Sequence, residues 1–160
     1  MNELTVTAPA EPTFIVYIAG SCRPNPGPGG WATTISHPDG KVIEHSGHEP
    51  DATNNRMTME GVIQALQRTP ETATVLIYTD CQTTIDGATD WAPNKWMKNG
   101  WKAANDKPVK NRNRWELIMD LISSREVTFQ HVKSNPRNPN RERASVLAKE
   151  ASSRGPYSHV

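Results

Sequence analysis

The chain has 160 residues, a formal charge of +1 and 35% hydrophobic residues. That is the size of one domain with one core, and near-neutrality excludes a polybasic tail, so any nucleic-acid surface must be local. No apolar run approaches the about 20 residues that span a bilayer, no secretory pattern opens the chain, and Cys22 and Cys81 lack disulfide-motif or metal spacing, so a reduced, cytoplasmic protein with no membrane partner is expected.

Residues 1–12 are small, polar and proline-containing, a lead-in without regular structure, and the domain is expected over 13–153 with a tail at 154–160. Phe14 to Ile18 is a β-branched and aromatic run, a central strand ending at Ala19-Gly20-Ser21-Cys22. Pro24 to Gly30, dense in proline and glycine, reads as a tight loop. Trp31 to Ser36 and Lys41 to Gly47 flank an Asp39-Gly40 turn and form a hairpin, giving three antiparallel strands.

Arg56 to Arg68 carries Met59, Val62, Ile63 and Leu66 at helical spacing and stops before Pro70. Thr74 to Tyr78 is the next strand, and the intervening helix predicts a crossover that sets it parallel to the first. Gln82 to Asn111 mixes a short helix with tryptophans and lysines. Trp115 to Ile122 is a further helix, Glu126 to Val132 alternates as a last strand, and Asn140 to Ser153 is a closing helix. The fold class is therefore α/β, a five-stranded mixed sheet flanked by helices in the order βββαβα(α)αβα.

Four segments, in order and spacing, resemble the type 1 ribonuclease H family. They are Gly20-Ser21-Cys22-x-x-Asn25-Pro26-Gly27-Pro28-Gly29-Gly30 after a strand, Thr53-Asn54-Asn55-Arg56-Met57 opening a helix, Tyr78-Thr79-Asp80-Cys81-Gln82 ending a strand, and Gly100-Trp101-Lys102 through Lys107-Pro108-Val109-Lys110-Asn111. The last is similar to the basic protrusion of bacterial members, here about 91–111. The resemblance implies the ribonuclease H-like fold and a chemistry in which two Mg²⁺ ions, held by carboxylates from several elements, hydrolyse the RNA strand of an RNA/DNA hybrid.

Carried over residue by residue, the family's four carboxylate positions fall on Ala19, Thr58, Asp80 and Ser145, and the position of its loop histidine on Asn135. Only Asp80 keeps an acid. Glu60, two helical steps of roughly 200° from Thr58, points the other way; Glu142 shares a side with Ser145 without being a metal position; Asp86 is too far along. A lone Asp80 is a poor site for Mg²⁺, which dehydrates reluctantly, and reads equally as a strand-end carboxylate capping the next helix. No cofactor is expected to be required, with Mg²⁺ implied only for residual activity.

The resemblance also implies a binding set that survives. Cys22, Asn25, Asn54, Asn55 and Gln82 match positions that read RNA 2′-hydroxyls and minor-groove edges, and Thr53 matches one beside a DNA phosphate. Helix capping would account for one of Asn54 and Asn55 but not both. Trp91, Trp96, Lys98, Lys102, Lys107 and Lys110 form an aromatic and basic segment suited to sugars and phosphates, with Trp101 its core residue. One residue more than the family pattern falls around Pro93-Asn94-Lys95.

The expected function is a non-catalytic module that recognises an RNA/DNA hybrid or other RNA-containing duplex, with further protein partners in a nucleoprotein assembly. An inactivated or weakly active ribonuclease H and a protein-interaction scaffold that binds no nucleic acid are the alternatives.

Overall fold

The computed structural model describes residues 13–133 and 138–154, so the lead-in, the tail beyond 154 and Asn135 lie outside the described residues. Strands β1 (Thr13–Cys22), β2 (Gly27–Ser36) and β3 (Val42–Ala52) are followed by α1 (Asn54–Gln67) and β4 (Thr74–Thr79). Then come α2 (Gln82–Asp86), a π-helical stretch (Gly87–Trp96), one turn of α3 (Met97–Asn99), α4 (Arg112–Ser123), β5 (Glu126–His131) and α5 (Pro139–Arg154).

The sheet order is β3-β2-β1-β4-β5. As the pattern predicts, β1, β2 and β3 pair antiparallel and β4 runs parallel to β1; β5, whose direction the sequence leaves open, runs parallel to β4. Side-chain alternation along β1 assigns the two faces. Val16 and Ile18 enter the main core with Met59, Val62 and Leu66 of α1 and Trp115 and Ile118 of α4. Tyr17 and Ala19 turn the other way, against Ala144 and Ala148 of α5. Among the described residues no helix is long and apolar enough to cross a membrane, and Cys22 and Cys81 are free thiols.

The Gly/Pro stretch departs from expectation. β1 continues to Cys22 and β2 begins at Gly27, so only Arg23 to Pro26 turns. The later glycines serve close approach rather than turning. A methyl on Gly29 would meet the side chains of Ala52 and Met57, and one on Gly30 would fall on backbone atoms of Ala148, Ala151 and Ser152 in α5. Backbone cannot retreat as a side-chain tip can, so Gly30→Ala is expected to cost about 1–3 kcal/mol by overpacking. A lowered denaturant midpoint at unchanged m-value checks this, and an unchanged midpoint contradicts it.

Two other segments differ from their expected bounds. β3 runs on to Ala52, and α1 starts two residues early at Asn54 because Thr53, whose Oγ1 accepts from the Arg56 N–H at 3.1 Å, supplies the cap. The π-helical stretch contains Pro93 and spans the segment around which one residue more than the family pattern is expected. Wider i→i+5 winding takes up one added residue without breaking the helix, and it keeps Trp91 and Trp96 in ring contact at 5.8 Å.

Candidate nucleic-acid interface

The four carboxylate positions of the family pattern converge at one end of the sheet. β1 and β4 pair as far as Tyr17 and Tyr78, whose rings stack at 4.7 Å, and Ala19 and Asp80 each follow two residues further along the chain, Asp80 just past the end of β4. Neighbouring strands lie about 4.8 Å apart. Gly20 approaches α1 so closely that a methyl there would lie 2.9 Å from Thr58 Oγ1. Ala19 packs in one cluster with Ala144, the residue before Ser145.

Three of these positions are closed off from solvent: Ala19 is 8%, Thr58 4% and Ser145 8% exposed. The Thr58 hydroxyl donates back to the Asn54 carbonyl at 3.2 Å, and it brings a neutral oxygen where the family pattern has a carboxylate. Asp80 differs from its expected capping role. Cys81 holds the N-cap position of α2 and no side chain caps that helix. Asp80 instead accepts from Nη2 of Arg141, in the first turn of α5, through its Oδ2 at 2.9 Å. Parallel strand geometry brings the end of β4 to the start of α5, and a carboxylate there gains more from a guanidinium than from distant amides.

None of the acids near Asp80 in sequence or helix position replaces the missing ones. Glu60 points away, as its helical offset predicts, and pairs with Arg114 at 3.3 Å. Asp86 is engaged by Gln82 at 2.8 Å. Glu142 lies beside Arg141, with Oε1 3.7 Å from Nη1. Among the described residues no group of three or more His, Cys, Asp or Glu is placed to hold a metal ion. A two-Mg²⁺ centre does not fit a site with one carboxylate that is already paired to a cation.

α5 itself is held by a second pair. Arg143 donates to both carboxylate oxygens of Glu44 in β3, at 2.7 and 2.9 Å. Those hydrogen bonds hold the Glu44 carboxyl below the usual carboxylate range.

The expected binding residues assemble more completely. Asn25, Thr53, Asn54, Asn55 and Lys110 line one open groove of about 730 Å³, together with Pro26, Arg56 and Asn111. Asn25 Oδ1 accepts from the Asn54 N–H at 3.2 Å, which fixes the β1–β2 turn against the start of α1. Since Thr53 caps α1, neither Asn54 nor Asn55 is used as the cap, and both side chains are exposed. Asn55 Oδ1 is in contact with Cys81 Sγ at 3.5 Å.

A narrower channel of about 190 Å³ leads from Asn55, Lys110 and Asn111 past Thr84 to Trp91, Trp96 and Trp115. A separate hollow of about 390 Å³ shares Trp91 and Trp96 and is lined also by Lys95, Asn99 and Lys102. Trp96 is the hub of this aromatic group, 6.2 Å from Trp101 and 5.6 Å from Trp115 between ring centroids. Trp101 is core, as expected, at 8% exposure. Lys98 and Lys107 are exposed and line none of these hollows. Gln82 is exposed on α2.

Cys22 is placed differently from an open contact residue. The residue is 2% exposed, and its thiol lies 3.2 to 3.4 Å from the carbonyls of Pro24, Gly27 and Ala52. Three residues that the motifs do not single out also shape the site. Arg56 donates from Nε to Asn111 Oδ1 at 3.2 Å and from Nη1 to the Asp51 carbonyl at 3.1 Å, so it ties α1 to the end of the basic segment. Asn111 sits at φ +60°, a left-handed conformation that asparagine tolerates. Arg141 had a signal available, since it precedes Ser145 by four residues and so lies on the same face of α5.

Sheet order, crossover and the meeting of β1, α1, β4 and α5 at one end of the sheet define a ribonuclease H-like fold. The RNase H family model matches residues 11–153, and the chain belongs to that family. Ribonuclease H of Stutzerimonas stutzeri strain A1501 is 40% identical over 133 residues, 83% of this chain and 87% of that protein. The crystal structure of LC9-RNase H1, a type 1 RNase H with the type 2 active-site motif, superposes with a TM-score of 0.77 at 26% identity over 92% of this chain and 75% of that one. LC11-RNase H1, solved in complex with an RNA/DNA hybrid, shares the fold with a TM-score of 0.63 at 22% identity, over 88% and 97% of the two chains.

Proposed function

We propose that this chain is a non-cleaving ribonuclease H-like module that recognises an RNA/DNA hybrid or another RNA-containing duplex, as a cytoplasmic component of a nucleoprotein assembly. The observation that carries the reading is Asp80. It is the last acid of the four positions, and Arg141 engages it at 2.9 Å, while the polar groove beside it keeps its exposed amides.

In this reading Asn25, Asn54, Asn55 and Gln82 contact 2′-hydroxyls and minor-groove edges of the RNA strand, and Cys22, buried at 2% exposure, supports the turn beneath them. Thr53, Arg56 and Lys110, which line the same groove, receive DNA-strand phosphates; Trp91 and Trp96 offer ring faces to sugars, with Lys102 lining the same hollow. LC11-RNase H1, with the same fold, has been solved on a hybrid, which supports the choice of ligand. Losing three acids also removes the repulsion that an empty carboxylate cluster exerts on a phosphate, so binding needs no Mg²⁺.

The relatives named Ribonuclease H, at 40% identity, favour the second reading, a ribonuclease H that is inactivated or retains weak Mg²⁺-dependent activity. A gel-shift panel of RNA/DNA, RNA/RNA, DNA/DNA and single strands, run beside a Mg²⁺ and Mn²⁺ cleavage assay on the same samples, separates the two. The proposal expects hybrid or RNA duplex to shift and the RNA strand to stay intact. Cleavage would establish the second reading, and no shift of any duplex would leave a protein-interaction role.

A further inference from the structure

The surviving carboxylate is matched to a cation that the chain itself supplies. Arg141 stands one helical turn before Ser145, and its side chain is 14% exposed against 37% for Asp80. Its backbone N–H is accepted by Asn138 Oδ1 at 3.0 Å, and the Glu142 N–H by the Asn138 carbonyl at 2.9 Å, so Asn138 fixes the turn from which the guanidinium reaches β4. Among the described residues, Nη2 makes the guanidinium's one side-chain hydrogen bond, to Asp80. The Glu142 contact, at 3.7 Å, is longer than a hydrogen bond and involves a carboxylate 46% exposed to water, which screens it.

We propose that Arg141 is the resident cation of this centre: it engages Asp80 where the family pattern places a divalent ion, and it donates its remaining N–H groups to a backbone phosphate of the bound duplex. The proposal rests on the duplex-binding reading above. Charge and shape both favour it. Ala19, Thr58 and Ser145 bring no charge, and Asp80 and Arg141 cancel, so an arriving phosphate meets a neutral pair and one screened acid rather than four carboxylates. A guanidinium is permanently charged and planar, and its fork matches two phosphate oxygens while a third N–H stays on the aspartate. At Asp80 the Arg141 guanidinium competes with any metal for the carboxylate.

The test is a salt series of equilibrium titrations in chelator, using a short RNA/DNA hybrid as the probe and the full chain as wild type, Arg141→Gln, Arg141→Lys and Asp80→Asn. Arg141→Gln is expected to weaken binding roughly tenfold and to flatten the slope of log affinity against log salt by about 0.9, the value for one phosphate no longer neutralised. Arg141→Lys is expected to keep the slope and lose part of the affinity, since an ammonium retains charge without the fork. Asp80→Asn, which frees the guanidinium and removes a negative charge, is expected to bind more tightly.

The proposal is overturned if Arg141→Gln leaves affinity and slope unchanged. It is equally overturned if Arg141→Gln and Asp80→Asn weaken binding alike, because the pair would then be a strut between β4 and α5. A wild-type chain that binds no hybrid overturns the duplex-binding reading, and this proposal with it.

Discussion

Replacing Ala19, Thr58 and Ser145 by Asp, Glu and Asp in one chain, together with Arg141→Asn, is expected to make the melting temperature rise with Mg²⁺ and to bring cleavage of the RNA strand. The unmodified chain should show neither response. Four acids gathered at one end of the sheet repel one another, and a divalent ion relieves that repulsion. At a hundredfold excess over its dissociation constant the ion would stabilise the fold by about 2.7 kcal/mol, a shift of several degrees. Rate should rise by several orders of magnitude, since two-metal activation of water is restored.

The same three acids with Arg141 retained are expected to respond more weakly on both measures. The guanidinium, 2.9 Å from Asp80, competes with metal for that carboxylate. Thermal melts across a Mg²⁺ series, paired with a gel assay of the RNA strand, compare the two variants. A fourfold variant that stays insensitive to Mg²⁺ would show that something other than these residues closes the centre.

Neutralising Lys102, Lys107 and Lys110 together carries the second large effect. If each meets a phosphate, hybrid affinity falls on the order of a hundredfold and the salt slope flattens by about 0.9 for each phosphate no longer neutralised. The three should not contribute equally. Lys110 lines both the asparagine groove and the tryptophan channel, so its single replacement is expected to cost most. Lys102 lines the tryptophan hollow but lies 4.0 Å from Asp106, which offsets part of its charge. Lys107 lines neither and should cost least. Unchanged hybrid affinity and slope in the triple variant would remove the basic segment from the binding surface.

Much of this arrangement is legible in the sequence because it follows local periodicity. β1 and β4 announce themselves by β-branched and apolar runs and β5 by alternation, the Asp39-Gly40 turn fixes the hairpin, and one helix between Gly47 and Thr74 dictates the parallel crossover. The groove of Asn25, Thr53, Asn54, Asn55 and Lys110 is reachable by family pattern, although these residues lie far apart in the chain.

What escapes depends on contacts between distant elements. Gly27 to Gly30 carry turn residues, yet β2 uses them so that α5 and Met57 can approach. Asp80 has the local look of a helix cap, but its partner lies 61 residues away. Cys22 stands in a contact motif while its thiol is turned inward among three carbonyls. In each case the residue's type is informative, and its direction is set by packing that no short window contains.

The most direct test measures hybrid affinity of the unmodified chain in Mg²⁺ and in chelator, followed by inspection of the RNA strand recovered from both samples. Metal-independent binding by a centre whose one acid is paired with Arg141 predicts the same affinity in each and uncut RNA. Affinity that vanishes on chelation, or RNA cut in the Mg²⁺ sample, would contradict it.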